Sequence, residues 1–290
     1  MNVLLLRAVS QGSPDRYEVA FRSHGYHPIS VPVLETAIVG REQLAHKLSL
    51  GPAKQSLAGV IVTSGRAVEA WSEVAQALIV KWWSVPFYAV GEATSTALRD
   101  LCETTPMYSP RDIRGGSDTG TAERLAGFIL KDLPSDGTSR KLLYLTGDKN
   151  RDTLPRILES GGVELDSLQV YATQGSSTFP HDLSLALEHV KGKFLIGEDL
   201  SWGWVVYFAP SAADFVTPIL RNHFVLPTVN SSTDDGCEIS NRHRVVKVAA
   251  IGPTTESFLI QTLKLSVSVT ARNPTAEGLV DAISQYDKVQ

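Results

Sequence analysis

Two apolar runs in the sequence each end in glycine and continue into a stretch rich in hydroxyl side chains. One is Val90-Gly-Glu-Ala-Thr94, and the other is Ile251-Gly-Pro-Thr-Thr255. A strand that turns into a helix in this way leaves the first amide N–H groups of the helix unpaired, beside the positive end of the helix dipole. Such helix starts bind carboxylates and phosphates. The residues that we expect to bind an anionic substrate here are Gly91, Thr94, Pro253, Thr254 and Thr255.

Other apolar runs lead into helix starts of the same kind. Thr63-Ser64 follows one run and Ala209-Pro-Ser-Ala212 follows another, and helical patterns also begin after Gly120 and Asn273. The residues predicted to bind the substrate at the first two of these starts are Thr63, Ser64, Ser211 and Ala212. A serine or threonine at a helix start is more often only a cap, whose oxygen accepts from the amides of its own helix. The prediction of a site therefore depends on the whole set of starts.

Basic residues and one tyrosine near the same strand ends complete the candidate site. The basic residues are Arg7, Arg66, Arg114, Lys149, Arg151 and Arg272. Arg66 and Lys149 are the stronger candidates because each follows a predicted strand directly; the alternative for each is a solvated surface charge. Tyr171 ends the run Leu168-Gln-Val-Tyr171, where its phenol could donate a proton to a reacting group. Its alternative role is that of a half-buried strand aromatic.

The rest of the sequence argues against several classes of function. It has no P-loop, no complete G-x-G-x-x-G fingerprint and no G-x-S-x-G elbow, and its seven histidines lack metal-ligand spacing, so we expect no metal. The net charge of −4, without a basic run, argues against a nucleic-acid partner. No apolar run is long enough to span a membrane. Cys102 and Cys237 form no disulfide framework, which favours a reducing compartment such as the cytoplasm.

The elements that must position these residues alternate between strand and helix. The candidate strands are Val3–Leu6, Ile29–Leu34, Gly59–Thr63, Phe87–Val90, Leu142–Leu145, Leu168–Tyr171, Val205–Phe208 and Val246–Ile251. The segments with helical periodicity are Ala67–Leu78, Thr94–Leu101, Ala122–Leu130, Thr153–Glu159, Ala212–Leu220, Thr255–Leu263 and Ala276–Tyr286. This alternation predicts an α/β protein with parallel sheets flanked by helices. Ligands of such sheets bind at the carboxyl ends of the strands, where the candidate residues lie.

The chain also repeats itself at long range. Gly59–Val68 corresponds to Trp204–Ala213, and Val3–Leu34, with Gly25 in its middle, resembles Leu142–Tyr171, with Gly162 in the same place. We therefore predict two similar α/β lobes, with a ligand cleft between the copies. Two polar stretches interrupt the pattern, Ser109–Gly120 and Asn230–His243, and the second is predicted to be a mobile surface insertion.

Six short motifs, taken in order, resemble the uroporphyrinogen-III synthase family. They are Thr63-Ser-Gly-Arg-Ala-Val-Glu-Ala70, Val90-Gly-Glu-Ala-Thr94, Val170-Tyr-Ala-Thr173, Tyr207-Phe-Ala-Pro-Ser211, Ala250-Ile-Gly-Pro-Thr-Thr255 and Pro274-Thr-Ala-Glu-Gly-Leu279. The resemblance covers Val3 to about Ile283. It implies an enzyme of tetrapyrrole (haem) biosynthesis that closes linear hydroxymethylbilane to uroporphyrinogen III, with inversion of ring D and loss of water. It also implies that no metal and no cofactor are needed and that the small-molecule substrate carries many carboxylates. We further expect a monomer.

The same resemblance implies how the lobes are connected. One lobe comprises residues 1–34 and 174–290, and the other comprises residues 35–173, with Val31–Thr36 and Leu168–Gln174 as a two-strand linker. The repeat alone would equally allow a single cut near Arg140. The tyrosine of the family corresponds to Tyr171, which on this resemblance donates to the departing hydroxyl. Ala209 departs from the family pattern, in which a serine often precedes the proline.

The sequence also leaves two other functions open. A two-lobed binding module for a polyanionic small molecule would use the same helix starts without catalysis. A nucleotide- or sugar-phosphate enzyme would need a phosphate loop and a metal-binding acid at a strand end, and neither is convincing here.

Overall fold

The computed structural model describes residues 1–10, 14–76, 78, 82–104, 110–134, 136–194, 201–229 and 244–289. Its elements, in chain order, are β1 (Asn2–Leu6), α1 (Arg16–Ser23), β2 (His27–Ser30), β3 (Leu34–Ile38), α2 (Arg41–Lys54), β4 (Leu57–Val62), α3 (Gly65–Ala75), β5 (Phe87–Ala89), α4 (Glu92–Thr104), β6 (Ile113–Gly115), α5 (Ala122–Asp132), β7 (Lys141–Thr146), α6 (Thr153–Ser160), β8 (Glu164–Gln169), β9 (Tyr171–Gly175), α7 (Phe179–Phe194), β10 (Trp202–Tyr207), α8 (Pro210–Leu220), β11 (Phe224–Val225), β12 (Arg244–Val245), β13 (Lys247–Ala250), α9 (Pro253–Gln261), β14 (Val269–Thr270) and α10 (Ala276–Val289). Among the described residues, no helix is both long and apolar enough to cross a membrane.

The chain divides into two compact units. Unit 1 comprises Met1–Glu35 and Gln174–Gln290, and unit 2 comprises Thr36–Thr173. The chain leaves unit 1 within β3 and returns within β9, and these two strands form a separate two-stranded sheet. Within unit 1, the Glu35 carboxylate accepts hydrogen bonds from Gln174 Nε2 at 3.0 Å and from Ser177 Oγ at 3.1 Å.

Each unit contains one five-stranded parallel sheet, and the two sheets have the same topology. The strand order is β6-β5-β4-β7-β8 in unit 2 and β14-β13-β10-β1-β2 in unit 1. The segment β7-α6-β8 of unit 2 thus corresponds to β1-α1-β2 of unit 1. Gly162 and Gly25 lie at the same point of this repeat, with φ of 75° and 82°, a region that glycine adopts without strain. The predicted α/β class is confirmed.

Helices cover both faces of each sheet, so the strands are buried on both sides. In β1, Leu4 and Leu6 pack into one apolar cluster of unit 1, while Val3 and Leu5 pack into the cluster on the opposite face. The sheet of unit 2 separates two clusters in the same way. Strands buried on both faces have nearly continuous apolar sequences, which is why these strands were recognisable in the sequence.

The structure corrects two of the predicted strands. The run Ile29–Leu34 is not one strand, because β2 ends at Ser30 and β3 begins at Leu34. Pro32 lies between them and cannot donate to a sheet ladder. The run Leu168–Tyr171 is divided between β8 and β9 at Val170, whose N–H still bonds to the Thr146 carbonyl at 2.9 Å.

Other differences concern segments that the pattern missed. The polar stretch Ser109–Gly120, for which no strand was predicted, contains the edge strand β6. Helices α1, α2 and α7 also escaped prediction. In α2, Gly51 has a φ of 73° and is followed by Pro52, so the helix is kinked and its sequence resembles a break. Asn230–His243, which includes Cys237, lies outside the described residues.

Candidate functional site

The candidate residues of unit 2 lie along one edge of its sheet. They follow four neighbouring parallel strands, β5, β4, β7 and β8, so their loops are adjacent at the carboxyl edge. In that order of strands the residues are Gly91 and Thr94, then Thr63, Ser64 and Arg66, then Lys149, and finally Tyr171. The parallel topology thus brings together segments that are far apart in the chain.

The candidate residues of unit 1 occupy the equivalent edge of the other sheet. Ser211 and Ala212 begin α8 after β10, and Pro253, Thr254 and Thr255 begin α9 after β13. Strands β10 and β13 are direct neighbours, with Tyr207 in register with Ala250. The starts of α8 and α9 therefore lie side by side.

Three of the predicted helix starts are already occupied by a cap from the chain itself. Ser64 Oγ accepts from the Ala67 amide at 3.4 Å in α3, Thr121 Oγ1 accepts from Arg124 at 3.3 Å in α5, and Thr275 Oγ1 accepts from Gly278 at 3.1 Å in α10. At these three starts the hydroxyl side chain acts as a helix cap, which is the alternative role described above.

The other three predicted starts have no side-chain cap. The residue before the helix is Gly91 in α4, Ala209 in α8 and Gly252 in α9, and none of them has a side-chain acceptor. In α8 and α9 the first helical residue is a proline, which has no N–H. The unpaired amides are then those of the next two residues, which are Ser211 and Ala212 in α8 and Thr254 and Thr255 in α9. Two further starts without a side-chain cap, those of α2 and α6, were not predicted as sites.

Neither Gly91 nor Gly252 is required by the backbone. Gly252 is fully extended, with φ of −179° and ψ of 175°, which any residue adopts. A Cβ atom would meet nothing closer than Pro274 Cβ at 4.0 Å at position 252, and nothing closer than Gly120 Cα at 4.0 Å at position 91. The absence of a side chain at these positions leaves open space in front of the amides.

The structure separates the predicted hydroxyl ligands into two groups. Ser211 and Thr254 are exposed, whereas Thr94 and Thr255 are only 5% and 3% exposed. Thr94 and Thr255 each occupy the third position of their helix and face inward. The Thr94 amide already donates to the Gly91 carbonyl at 3.1 Å, so of these two residues only Thr255 has a backbone amide left to bind a ligand. Our expectation that both hydroxyls face a ligand is not supported by this burial.

The candidate cations differ in how far they are already paired. Arg66 donates through Nη1 to Thr36 Oγ1, whereas Lys149 is exposed and has no ion pair among the described residues. Arg7, at the end of β1, donates to both carboxylate oxygens of Asp15 at 2.9 Å. Burial opposes ionisation of Asp15, but hydrogen bonds from the Ser10 amide, from Arg7 and from the Glu18 amide hold its pKa well below the usual range. This pair is committed to capping α1.

Tyr171 is half-buried and lies over the loop that follows β7. Its ring covers Gly147: a Cβ atom there would come within 2.5 Å of Tyr171 Cζ and 2.8 Å of its Oη. The Tyr171 hydroxyl makes no hydrogen bond to any described residue, so it is available to a ligand. Nearby, burial raises the pKa of the Tyr144 phenol, and Thr63 hydrogen-bonds to that phenol.

Two residues beside Tyr171 were not found from the sequence. The Tyr171 ring packs directly on Gly147. Asn150 closes the same loop, because its Nδ2 donates to the Gly147 carbonyl at 2.9 Å. The signal that could have found them is the Leu145-Thr-Gly-Asp-Lys-Asn150 turn after a predicted strand, which parallel pairing places beside the end of the next strand.

Together, the fold and its helix starts define a duplicated α/β protein with uncapped helix starts along the carboxyl edge of each sheet. The family model described as "Uroporphyrinogen-III synthase HemD" matches residues 15–281. The chain therefore belongs to the uroporphyrinogen-III synthase family, and the resemblance seen in its motifs is confirmed.

Individual relatives align over nearly the whole chain. A uroporphyrinogen-III synthase of Schizosaccharomyces pombe is 29% identical, covering 98% of this chain and 97% of the relative. One of Saccharomyces cerevisiae is 26% identical, covering 94% of this chain and 92% of the relative. Among solved structures, uroporphyrinogen-III synthetase of Helicobacter pylori aligns with 15% identity and a TM-score of 0.41, covering 98% of this chain and 99% of that one. A mutant uroporphyrinogen III synthase of Thermus thermophilus aligns with 14% identity and a TM-score of 0.39, covering 100% and 99%.

Proposed function

We propose that this chain cyclises hydroxymethylbilane to uroporphyrinogen III, with inversion of ring D and release of water. Membership of the uroporphyrinogen-III synthase family supports the reaction. The structural observation that carries the proposal is the set of uncapped starts at Gly91, Ala209 and Gly252, which leaves backbone amides free for the carboxylates of this substrate.

Backbone amides, rather than arginine clamps, are the main carboxylate ligands in this proposal. A hydrogen bond to a charged group contributes about 1.5–3 kcal/mol, and several of them hold a polyanion without a large positive field. The net charge of −4 is consistent with such local binding. The adjacent starts of α8 and α9 offer the amides of Ser211, Ala212, Thr254 and Thr255. Lys149 and Arg66 add cations in unit 2.

The chemistry needs little from the protein beyond one proton and a fixed geometry. The C–O bond of the hydroxymethyl group breaks as the pyrrole nitrogen pushes electrons toward that carbon, and the departing hydroxyl takes a proton to leave as water. We assign that proton to the unbonded phenol of Tyr171. The substituted carbon of ring D then attacks the resulting electrophile to give a spiro intermediate. When the protein holds the linear substrate in a folded conformation, the two reacting carbons are brought together. This proximity lowers the activation barrier by several kcal/mol.

The decisive experiment supplies the purified protein with freshly generated hydroxymethylbilane. The products are oxidised and the type III and type I uroporphyrin isomers are separated by chromatography. Formation of the type III isomer above the protein-free control, which yields the spontaneous type I isomer, supports the proposal. Type I alone, together with tight binding of the substrate, would instead support the alternative of a binding module without catalysis.

Two variants then separate the proposed roles. Tyr171→Phe lowers turnover by roughly 10²-fold or less with product binding near normal, because the pyrrole already drives the departure that the phenol assists. Thr254→Val weakens binding, because it removes an exposed hydroxyl beside the α9 amides. The Thr254 change leaves the melting temperature nearly unchanged, since Gly252, and not Thr254, is the capping position of α9. Full turnover in Tyr171→Phe would remove the phenol from the mechanism.

We also propose that the protein works in the cytoplasm as a monomer, without metal or cofactor and without a nucleic-acid or membrane partner. Light scattering during size-exclusion chromatography tests the monomer. Treatment with a chelator before the assay leaves the rate of type III formation unchanged if no metal takes part. Loss of the rate, with recovery on adding a divalent metal, would contradict that part of the proposal.

A further inference from the structure

The loop from Gly147 to Asn150 lies directly beside the phenol to which we assign the proton transfer. Strands β7 and β8 are parallel neighbours, with Thr146 in register with Gln169. The pairing continues one residue further, because the Val170 amide donates to the Thr146 carbonyl at 2.9 Å. Gly147 is the first residue after β7 and Tyr171 is the second residue after β8, so the two lie just past the paired residues, at the carboxyl edge of the sheet.

Val170 fixes the backbone from which the Tyr171 ring projects. Its side chain is fully buried, and its carbonyl accepts from the Val39 amide at 2.9 Å. With its amide also bonded to Thr146, Val170 is held on both sides. Rotation of the Tyr171 side chain is then the main remaining freedom of the phenol. The ring packs against an apolar cluster of unit 2 and also directly against Gly147, which therefore helps to limit this rotation.

The glycine at position 147 is required by the ring and not by the backbone. Gly147 is absent from the glycines with positive φ. A Cβ atom added there would lie 2.5 Å from Tyr171 Cζ and 2.8 Å from Oη, closer than real Cβ contacts allow. The loop itself is held by Asn150, whose Nδ2 donates to the Gly147 carbonyl at 2.9 Å and whose Oδ1 accepts from the Gly147 amide at 3.4 Å.

We propose that Gly147 is a positioning residue for the reaction. Because Gly147 has no side chain and Asn150 holds its backbone in place through two hydrogen bonds, the Tyr171 ring packs directly on it, and this contact sets the position of the phenol. The inference rests on the proton-donating role proposed for Tyr171. A methyl group at position 147 displaces the ring and moves the hydroxyl away from the departing group, while the carboxylate-binding amides of α8 and α9 are untouched.

The test compares Gly147→Ala with Gly161→Ala. Gly161 is a matched steric control in the same unit, because a Cβ atom there would meet another side chain, Leu130, with Cδ1 at 2.9 Å. Gly161 lies at the end of α6, away from Tyr171. We expect both changes to lower the melting temperature, and only Gly147→Ala to lower kcat by a factor close to that of Tyr171→Phe, with KM nearly unchanged. In the Tyr171→Phe background, Gly147→Ala causes little further loss of kcat.

A spectroscopic measurement follows the ring independently of activity. The chain contains eight tyrosines, and after incorporation of fluorotyrosine the resonance of Tyr171 is the one missing from Tyr171→Phe. We expect that resonance to move in Gly147→Ala and to stay in place in Gly161→Ala. If Gly147→Ala does not fold, Asn150→Ala replaces it, because this change removes the two hydrogen bonds that hold Gly147 without adding a bulky group. We expect the Tyr171 resonance to move and kcat to fall in this variant as well.

The outcomes distinguish this inference from the function on which it rests. An unmoved resonance, or normal kcat in Gly147→Ala when Tyr171→Phe is impaired, overturns the positioning role alone. Full turnover in Tyr171→Phe overturns the proton transfer and with it any catalytic meaning of Gly147. A selective loss of kcat with a shifted resonance supports both.

Discussion

Ala209 offers a direct test of whether uncapped helix starts bind the substrate. It precedes α8 with φ of −151° and ψ of 142°, the extended conformation of a capping residue, yet its methyl group cannot accept a hydrogen bond. In Ala209→Asp the new carboxylate reaches the amides of Ser211 and Ala212. We therefore expect the protein to become more stable and to bind its substrate more weakly.

Both effects have a magnitude that can be worked out. A new cap stabilises a helix by about 1 kcal/mol, which raises the melting temperature by roughly 2–4 °C in a protein of this size. The substrate loses hydrogen bonds to a carboxylate, each contributing about 1.5–3 kcal/mol, so loss of one raises KM by about 10- to 150-fold. kcat changes much less, because the amides of α8 bind ground state and transition state alike.

The assay needs steady-state kinetics, thermal melts and a variant of equal charge. Thr275→Asp is that control, since Thr275 already caps α10 at the same edge of the sheet of unit 1, and aspartate replaces one cap by another. We expect little change in its melting temperature and a small change in KM. A more stable Ala209→Asp with unchanged KM would refute the reasoning. An equal rise of KM in both variants would show that repulsion between the added carboxylate and the substrate, and not occupation of the α8 amides, weakens binding.

Further predictions concern individual charges. Arg66→Ala or Lys149→Ala should raise KM severalfold without abolishing turnover, and complete loss of activity in a folded variant would show that one discrete cation dominates binding. Because the folded-state pKa of Asp15 is depressed, its contribution to stability is full well above its unfolded pKa near 3.9, begins to decline below about pH 5 and is lost as pH falls through the folded pKa; melts of Asp15→Asn should depend less on pH in this range than those of the wild type. Asp287 accepts from Tyr26 Oη at 2.7 Å and Lys247 Nζ at 2.7 Å at the opposite edge of its sheet, so Asp287→Ala should cost about 2–3 kcal/mol in denaturant unfolding and leave kcat near normal.

The sequence was sufficient for the three central strands of each five-stranded sheet and for the helix starts that follow β4, β5, β10 and β13. Both depend on local signals: apolar runs long enough to be buried on both faces, and Gly-Pro or Ser-Gly pairs where those runs end. It was not sufficient to tell an occupied start from an empty one. Ser64 and Thr254 are both hydroxyl residues at helix starts, but Ser64 caps its helix while Thr254 lies two residues past the capping position.

Contacts between distant segments were beyond the reach of such local signals. The packing of Tyr171 on Gly147 depends on which strands are neighbours and in what register, and both follow from the whole sheet. The burial of Thr94 and Thr255 likewise depends on which side of each helix faces the sheet. In contrast, α1 carried a recognisable start, because Asp15 caps the amides of Tyr17 and Glu18, and the pattern could have been found.

The permuted strand order has a consequence for how the chain is made on the ribosome. All strands of the unit 2 sheet lie within one continuous stretch, so that sheet can assemble as soon as β8 has emerged. The apolar strand β1 must wait, because Leu4 pairs with Val205, which is synthesised about 200 residues later. At 5–20 residues per second that delay lasts roughly 10–40 s. During this interval Asn2-Val-Leu-Leu-Leu6 lacks that neighbour, and a nascent strand of this composition is a natural binding segment for chaperones.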